Sequence, residues 1–334
     1  MNNWGTLYRM TIFGESHGPE IGVVIDGCKP GIPLHENDFL QDLKRRQPGA
    51  EGTTPRIEKD HPEIVSGLFN GFTTGAPLTI VFENSNIRSK DYTPILKQPR
   101  PGHADWVAMK KYDGYNDYRG GGHFSGRLTL ALVAAGVIAK KMIRPIQVSA
   151  QLIEAGGRKN ISQAIQKAIA QKDSIGGIVE CIASPMPVGL GEPFFDSLES
   201  KISHLVFAIP ATKGVEFGSG FKSAGMYGSE HNDSVIDENG TTKTNHAGGI
   251  NGGISNGNDL VFRVAVKPTS SIAQSQKTFN TETGKVEELL VQGRHDTCIA
   301  LRVPVVVEAI TAIALADLIL ISNSGQSAYS AVQK

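Results

Sequence analysis

The sequence predicts an α+β protein built as two halves of similar plan. Strand-like runs recur in both halves of the chain. Each half closes on a long apolar helix, one running from Leu128 and one from Val305, and each such helix follows a cluster of arginine, histidine and glycine. This recurrence suggests an internal duplication with a site between the halves, although no sequence repeat stands out. At 334 residues the chain has room for one large domain or two small ones.

The elements follow in order. Leu7–Phe13 and Gly22–Ile25 read as strands, and the turn between them, Gly14-Glu15-Ser16-His17-Gly18, exposes Ser16 and His17. Pro30-Gly31-Ile32-Pro33 leads into a helix with Phe39, Leu40 and Leu43 on one face. It ends on Lys44-Arg45-Arg46, where cations suit the helix dipole, and Gln47-Pro48-Gly49 stops it. Gly49 to His61 is polar and rich in glycine and threonine, so a mobile loop is expected. Ile64–Leu68 and Leu78–Phe82 read as strands, and Arg88–Gln98 as loop. Leu128–Met142 is apolar, alanine-rich and helical in spacing.

In the second half, Ile146–Ile153 and Gly177–Ala183 read as strands flanking a helix over Ile161–Ala170. Pro185–Pro193 is a Pro/Gly linker, Asp196–Ala208 is helical, and Lys213–Phe217 enters a strand. Gly228–Asn258 is a long polar loop whose glycines favour backbone contact with a ligand. Leu260–Val266 and Val286–Val291 are strands. Pro304, at a first helical turn, opens the last helix. Its apolar stretch to Ile321 carries Glu308 and Asp317 and is short for a span, so it reads as a buried helix.

Composition narrows the function. The chain is 40% hydrophobic, 20% charged and formally neutral, which argues against broad nucleic-acid or membrane-surface binding. Cys28, Cys181 and Cys298 lack metal spacing, and free thiols of a cytoplasmic protein are expected. No metal site is expected. Met1–Gly5 is polar with no apolar run behind it, so no signal peptide is expected.

The segment most suited to chemistry is Arg100–Arg127. It begins Arg100-Pro101-Gly102-His103-Ala104-Asp105 and ends Arg119-Gly120-Gly121-Gly122-His123-Phe124-Ser125-Gly126-Arg127, just before a helix. Glycines let backbone N–H groups approach a ligand, and a helix start favours negative charge. Guanidinium groups grip phosphate or carboxylate, and imidazoles give up protons near neutrality. The expected ligand is therefore an anion, most simply a phosphate, with proton donors beside it. Lys267-Pro268-Thr269-Ser270-Ser271 gathers a cation and three hydroxyls, a second grip for phosphate or a flavin tail.

Gly14–Gly18, Arg100–Asp105, Tyr118–Arg127, Asn245–Gly253 and Gly293–Asp296, together with Lys267–Ser271, resemble the chorismate synthase family in order and separation across nearly the whole chain. The resemblance implies a single domain over 1–334, a β-α-β sandwich with internal pseudo-two-fold symmetry, and a cytoplasmic homotetramer. It implies a lyase of the shikimate pathway that removes phosphate from 5-enolpyruvylshikimate 3-phosphate by 1,4-anti elimination to give chorismate. Reduced FMN is required without net redox change. No flavin reductase segment is recognisable, so an external flavin reductant is expected.

The resemblance also assigns roles. His17 protonates the departing phosphate, His103 supplies or holds a proton at the reduced flavin, and Asp296 assists proton removal from the substrate. Ser16 and Ser125 join them as catalytic candidates. Arg45, Arg46, Arg100, Arg127 and Arg294 bind the substrate's phosphate and carboxylates. Flavin contacts fall on His123, Phe124, Ser125, Pro210, Ala211, Gly252, Lys267, Pro268, Thr269, Ser270, Ser271 and Arg294, with Arg46 left for a nicotinamide nucleotide (NADP). The chain departs from the common family pattern at His123-Phe124-Ser125-Gly126-Arg127, where many members have Arg-Ser-Ser-Ala-Arg, and at Glu51-Gly52, near a position where many have arginine.

Two other classes stand beside this reading. A flavin oxidoreductase would consume an electron donor, yet Gly120-Gly121-Gly122 lacks the dinucleotide-binding spacing. A phosphate-binding module would not need His17, His103 and Asp296 beside its arginines.

Overall fold

The computed structural model describes residues 1–54, 58–85, 96–291 and 295–332, with residues 325–332 described by their backbone. The first half contains β1 (Asn3–Trp4), β2 (Arg9–Gly14), β3 (Glu20–Asp26), α1 (Asn37–Arg46), β4 (Glu63–Ser66), β5 (Leu68–Phe69), β6 (Phe72–Thr73), β7 (Leu78–Glu83), α2 (Asp105–Lys111) and α3 (Thr129–Met142). The second contains β8 (Gln147–Ala155), α4 (Ile161–Ala170), β9 (Gly177–Ser184), α5 (Leu198–Val206), β10 (Thr212–Phe217), α6 (Gly228–His231), β11 (Ile250–Asn251), β12 (Ile254–Ser255), β13 (Leu260–Val266), β14 (Gln276–Asn280), β15 (Lys285–Leu289) and α7 (Pro304–Val332).

Two antiparallel sheets form the outer layers, in the orders β1-β2-β3-β7-β4 and β10-β13-β9-β8. Apart from the edge strand β1, each sheet places its strands as first, second, fourth and third in chain order: β2-β3-β7-β4 and β8-β9-β13-β10. In each half a helix (α1, α5) lies between the second and third strands, and the long helix (α3, α7) follows the fourth. The expected duplication is thus present in topology, where sequence retains little of it.

The long helices fill the middle layer. α3 packs on α7 and on β2 and β3, while α7 packs on β8, β9 and α5. From Thr129 to Ala139 every α3 residue is buried, as an all-apolar helix requires. Gly136 faces Ala309 of α7 with no room for a Cβ, which lets the two helices approach closely. The stretch Pro304–Ser324 is long and apolar enough to cross a membrane, but it is mostly buried here as the core helix of a sandwich.

Its two carboxylates tie the layers together. Asp317, fully buried, accepts the N–H groups of Thr6, Leu7 and Tyr8 at 2.7–3.1 Å. Glu308 accepts both arms of Arg45 at 2.6 and 2.7 Å, Lys140 Nζ at 2.9 Å and the N–H of Ala150 at 3.0 Å. One buried carboxylate therefore links α1, α3, α7 and β8.

Several local expectations need correcting. The buried face of α1 is Phe39, Leu43 and Arg46, four and then three residues apart, while Leu40 is exposed. The described part of the Gly49–His61 loop is anchored: Gly52 O accepts the N–H groups of Thr297 and Cys298. The polar stretch Gly228–Asn258 holds α6 and the β11–β12 hairpin. The strand predicted at Val286–Val291 is β15 and pairs with β14, which the sequence reading passed over.

Candidate active site

A cavity of about 200 Å³ opens among residues from both halves. Its polar wall includes Arg46, Thr54, Glu58, Asp60, Ser125, Arg127, Asp296 and Arg302, and its apolar wall Ile209, Pro210, Ile299, Val303 and Val306. Of the predicted residues, Arg46, Ser125, Arg127, Pro210 and Asp296 meet here. α1 supplies Arg46 from its last turn, and Arg127 stands just before α3. Asp296 comes from the segment ahead of α7.

The rim is the triple-glycine turn. Gly120, Gly121 and Gly122 have φ of 60°, 83° and 53°, the left-handed region that side chains disfavour. Gly120 also lines the cavity, and a Cβ on it would lie 2.6 Å from His17 Cδ2 and 2.8 Å from Ser16 Oγ. A Cβ on Gly121 would lie 3.5 Å from His103 Cε1. The two histidines therefore flank consecutive glycines. His17 and Ser16 are buried, not exposed as the turn suggests in sequence, because the glycine turn packs over them, and Ser16 Oγ has no hydrogen-bond partner among the described residues. The N–H of Ser16 donates to Gly122 O at 3.1 Å, holding the two turns together.

Asp60 and Asn84 fix the arginines. Asp60 accepts from Arg46 Nη2 at 2.6 Å and from Arg127 Nη1 at 2.8 Å. Burial pushes its carboxyl up, but the Arg46 and Arg127 charges and hydrogen bonds outweigh burial, and the net shift is downward. Asn84 Oδ1 accepts from Arg127 Nε, while its Nδ2 donates to the carbonyls of Glu15 and Gly18 at 3.0 and 2.8 Å. Asn84 thus couples Arg127 to the turn that carries His17. Burial, against the opposing effect of Asp60, lowers Arg46 to about 10, and Arg302 and Arg127 add repulsion. Arg46 Nε is buried without a hydrogen-bond partner among the described residues.

Asp296 accepts the N–H of Thr54 at 2.9 Å, and Arg302 Nη1 at 3.2 Å. Arg302 Nε also donates to Arg46 O at 2.8 Å. Asp60, Asn84, Thr54 and Arg302 were not singled out from sequence. No motif marks them, because each acquires its partner only through the fold.

Beyond Gly121, His103 Nδ1 lies 2.6 Å from Asp105 Oδ1. Arg100 forks onto the same carboxylate, with Nε and Nη2 each at 2.8 Å, and its Nη1 donates to Ser271 Oγ at 3.0 Å. Lys267 Nζ donates to Ser270 Oγ at 2.9 Å, and Ser270 Oγ to Gly102 O at 2.8 Å. The Arg100–His103 and Lys267–Ser271 segments are thus docked on one another. Lys267 N–H donates to Ala211 O, next to the cavity residue Pro210, so the docked pair continues from the apolar wall. Thr269 Oγ1 is buried without a partner among the described residues. Burial lowers Lys267, and Lys213 lowers it further.

The remaining predicted residues lie elsewhere or serve otherwise. His123 contacts Gly14 O at 2.9 Å and Asn2 Oδ1 at 3.1 Å on the exposed outer side of the turn, and Phe124 packs beside Tyr112. Ser125 caps the turn into α3 by accepting the N–H of Arg127. Gly252 sits at the tip of the β11–β12 hairpin, outside the cavity wall. Arg45 is closed onto Glu308 and does not line the cavity. Arg294 lies outside the described residues. At Glu51-Gly52, Gly52 has φ +89°, and a Cβ there would meet Ile165 at 2.6 Å. Gly52 thus packs directly on the Ile165 side chain, near the place where the resemblance would lead one to expect arginine.

The chain is similar to known proteins along nearly its whole length. A family model for chorismate synthase matches residues 8–320. The chorismate synthase of Chitinophaga pinensis is 62% identical over 324 residues, spanning 97% of this chain and 98% of the relative. That of Dehalococcoides mccartyi is 47% identical over 351 residues, spanning 96% of each. A crystal structure of chorismate synthase superposes with a TM-score of 0.74 at 25% identity, covering 96% of this chain and 93% of the other.

Proposed function

The chain belongs to the chorismate synthase family, and is thereby a carbon–oxygen lyase of the shikimate pathway; we propose that it eliminates phosphate from 5-enolpyruvylshikimate 3-phosphate in a 1,4-anti sense, with reduced FMN that is not consumed. The observation that carries this reading is the glycine turn flanked by His17 and His103 at the rim of an arginine-lined cavity that also holds Asp296.

The residues fit a flavin mononucleotide. An isoalloxazine ring needs an apolar wall, and Ile209, Pro210, Ile299, Val303 and Val306 provide one. A phosphate tail needs donors, and Thr269 Oγ1 is a buried hydroxyl without a protein partner among the described residues, beside Lys267 and Ser270. Pro210, Ala211 and Lys267–Ser271 would hold the group. When bound, reduced FMN supplies electron density that eases cleavage of the substrate C–O bond.

The side chains do the rest. Arg46 and Arg127 take the substrate's anionic groups, in a cavity where an unpaired charge would be costly. The bond from C3 to the phosphate oxygen breaks, and the phosphate leaves with the electron pair. His17 protonates it, a role suited to an imidazole near neutrality. The proton at C6 passes toward Asp296, held in place by Arg302 and Thr54. The electrons of that C–H bond form a double bond from C6 to C1, while the existing ring double bond shifts from C1–C2 to C2–C3 as the phosphate departs. His103, oriented by Asp105, holds a proton on the far side of the glycine turn. An external flavin reductant, a homotetrameric assembly and a cytoplasmic location belong to the same proposal.

Equilibrium binding tests it. Arg127→Ala should weaken binding of the substrate about tenfold or more while changing FMN affinity little. Equal loss of both ligands would remove Arg127 from the substrate's side of the site.

A further inference from the structure

The carboxylate shared by the two cavity arginines is the feature that the reaction outlined above leaves unused. Asp60 is almost wholly buried, reaches Arg46 with one oxygen and Arg127 with the other, and lines the cavity. Its backbone adopts φ +47°, a left-handed conformation in which aspartate and asparagine are the side chains best tolerated. A carboxylate at the wall of an anion site is paradoxical on charge alone, since it repels the ligand. Its geometry resolves the paradox. Asp60 occupies one amino arm of each guanidinium, Arg127 Nε is held by Asn84, and Arg127 Nη2 donates to Glu83 O at a long 3.4 Å. Arg46 Nε is left as a buried donor without a partner among the described residues, on a side chain that lines the cavity. Two guanidinium groups this close would otherwise repel each other and splay.

We infer that Asp60 is a positioning residue. It clamps Arg46 and Arg127 into a fixed pair and leaves their remaining donors set for a phosphate or carboxylate. Orientation outweighs repulsion, because a pre-ordered pair of donors spares the ligand the cost of ordering two long side chains. The inference rests on the substrate-binding role given to Arg46 and Arg127 under the proposed function.

The test is Asp60→Asn, which suits the left-handed backbone, keeps one carbonyl acceptor and removes the charge. Binding of 5-enolpyruvylshikimate 3-phosphate and of inorganic phosphate is titrated with oxidised FMN present, so that no turnover occurs, and FMN affinity is measured separately. The expected result is an affinity for both anions lower by about tenfold to a hundredfold, with FMN affinity changed less than about twofold on the same scale. Tighter anion binding would make Asp60 a competitor of the ligand and overturn the inference. So would unchanged anion binding, or equal weakening of anion and flavin. Should the asparagine variant fail to fold, Asp60→Glu, which keeps the charge but displaces it, must give the same split. Wild-type protein that binds neither anion would overturn the proposed function as well, whereas normal wild-type binding with an unaffected variant overturns only the role of Asp60.

Discussion

His17 and Gly120 share one van der Waals space: a methyl group on Gly120 would press to 2.6 Å from His17 Cδ2 and 2.7 Å from Nε2. The glycine is therefore a spacer that admits the imidazole to the cavity rim. Gly120→Ala should displace His17 and strain a backbone at φ +60°. Stability should fall by about 1–2 kcal/mol, and kcat by roughly tenfold or more as the acid moves off line. Thermal melts and steady-state rates check this; an unchanged kcat would show that the contact is incidental.

His17→Ala and His103→Ala should each lose about a hundredfold or more in kcat, the usual worth of a positioned acid. Circular dichroism should remain native, since neither ring is a core packing element. Unchanged rates in both variants would overturn the proton-donor roles.

Asp105 makes acid stability a readout of the His103 cluster. Burial pushes its carboxyl up, but the hydrogen bonds from Arg100 and His103 and their charges pull it well below the usual carboxylate range. A depressed folded pKa means stability that is complete above the unfolded value of about 3.9 and is lost as pH falls through the folded one. Wild-type melting temperature should therefore drop below about pH 4, and Asp105→Asn should drop less over the same window. Parallel curves would contradict the assignment.

Arg45 and Glu308 separate stability from binding. Glu308→Ala leaves Lys140 and Arg45 without their shared buried partner and should cost about 3 kcal/mol. Arg45→Ala should lower the melting temperature while changing substrate KM less than about twofold. A large rise in KM at unchanged stability would return Arg45 to the substrate's side.

Arg45 also shows where sequence reading fell short. Neighbouring helical residues point about 100° apart, so Arg46 faces the cavity while Arg45 faces Glu308. The resemblance implied one substrate-binding role for both arginines, where the helix makes two separate contacts. The large features were legible, because burial leaves its mark on composition: α3 and α7 are apolar over most of their length, and β13 alternates buried and half-buried residues along its length. The histidine and arginine clusters were legible because their chemistry is unusual among so many glycines. Asp60 and Asn84 were not, since an ordinary aspartate and asparagine become remarkable only beside Arg127, which stands 67 and 43 residues away along the chain. The β11–β12 hairpin and strand β14 are short and polar, and carry too little apolar periodicity to announce themselves.

The central claim is that one cavity, walled by both halves, eliminates phosphate beside a flavin that is recovered unchanged. The most direct measurement is an anaerobic reaction of the protein with 5-enolpyruvylshikimate 3-phosphate and sub-stoichiometric reduced FMN, following chorismate absorbance, released phosphate and flavin oxidation together. The account predicts chorismate and phosphate in equal amounts, many per flavin, with the flavin still reduced at the end. One flavin oxidised per product, or no chorismate at all, would contradict it.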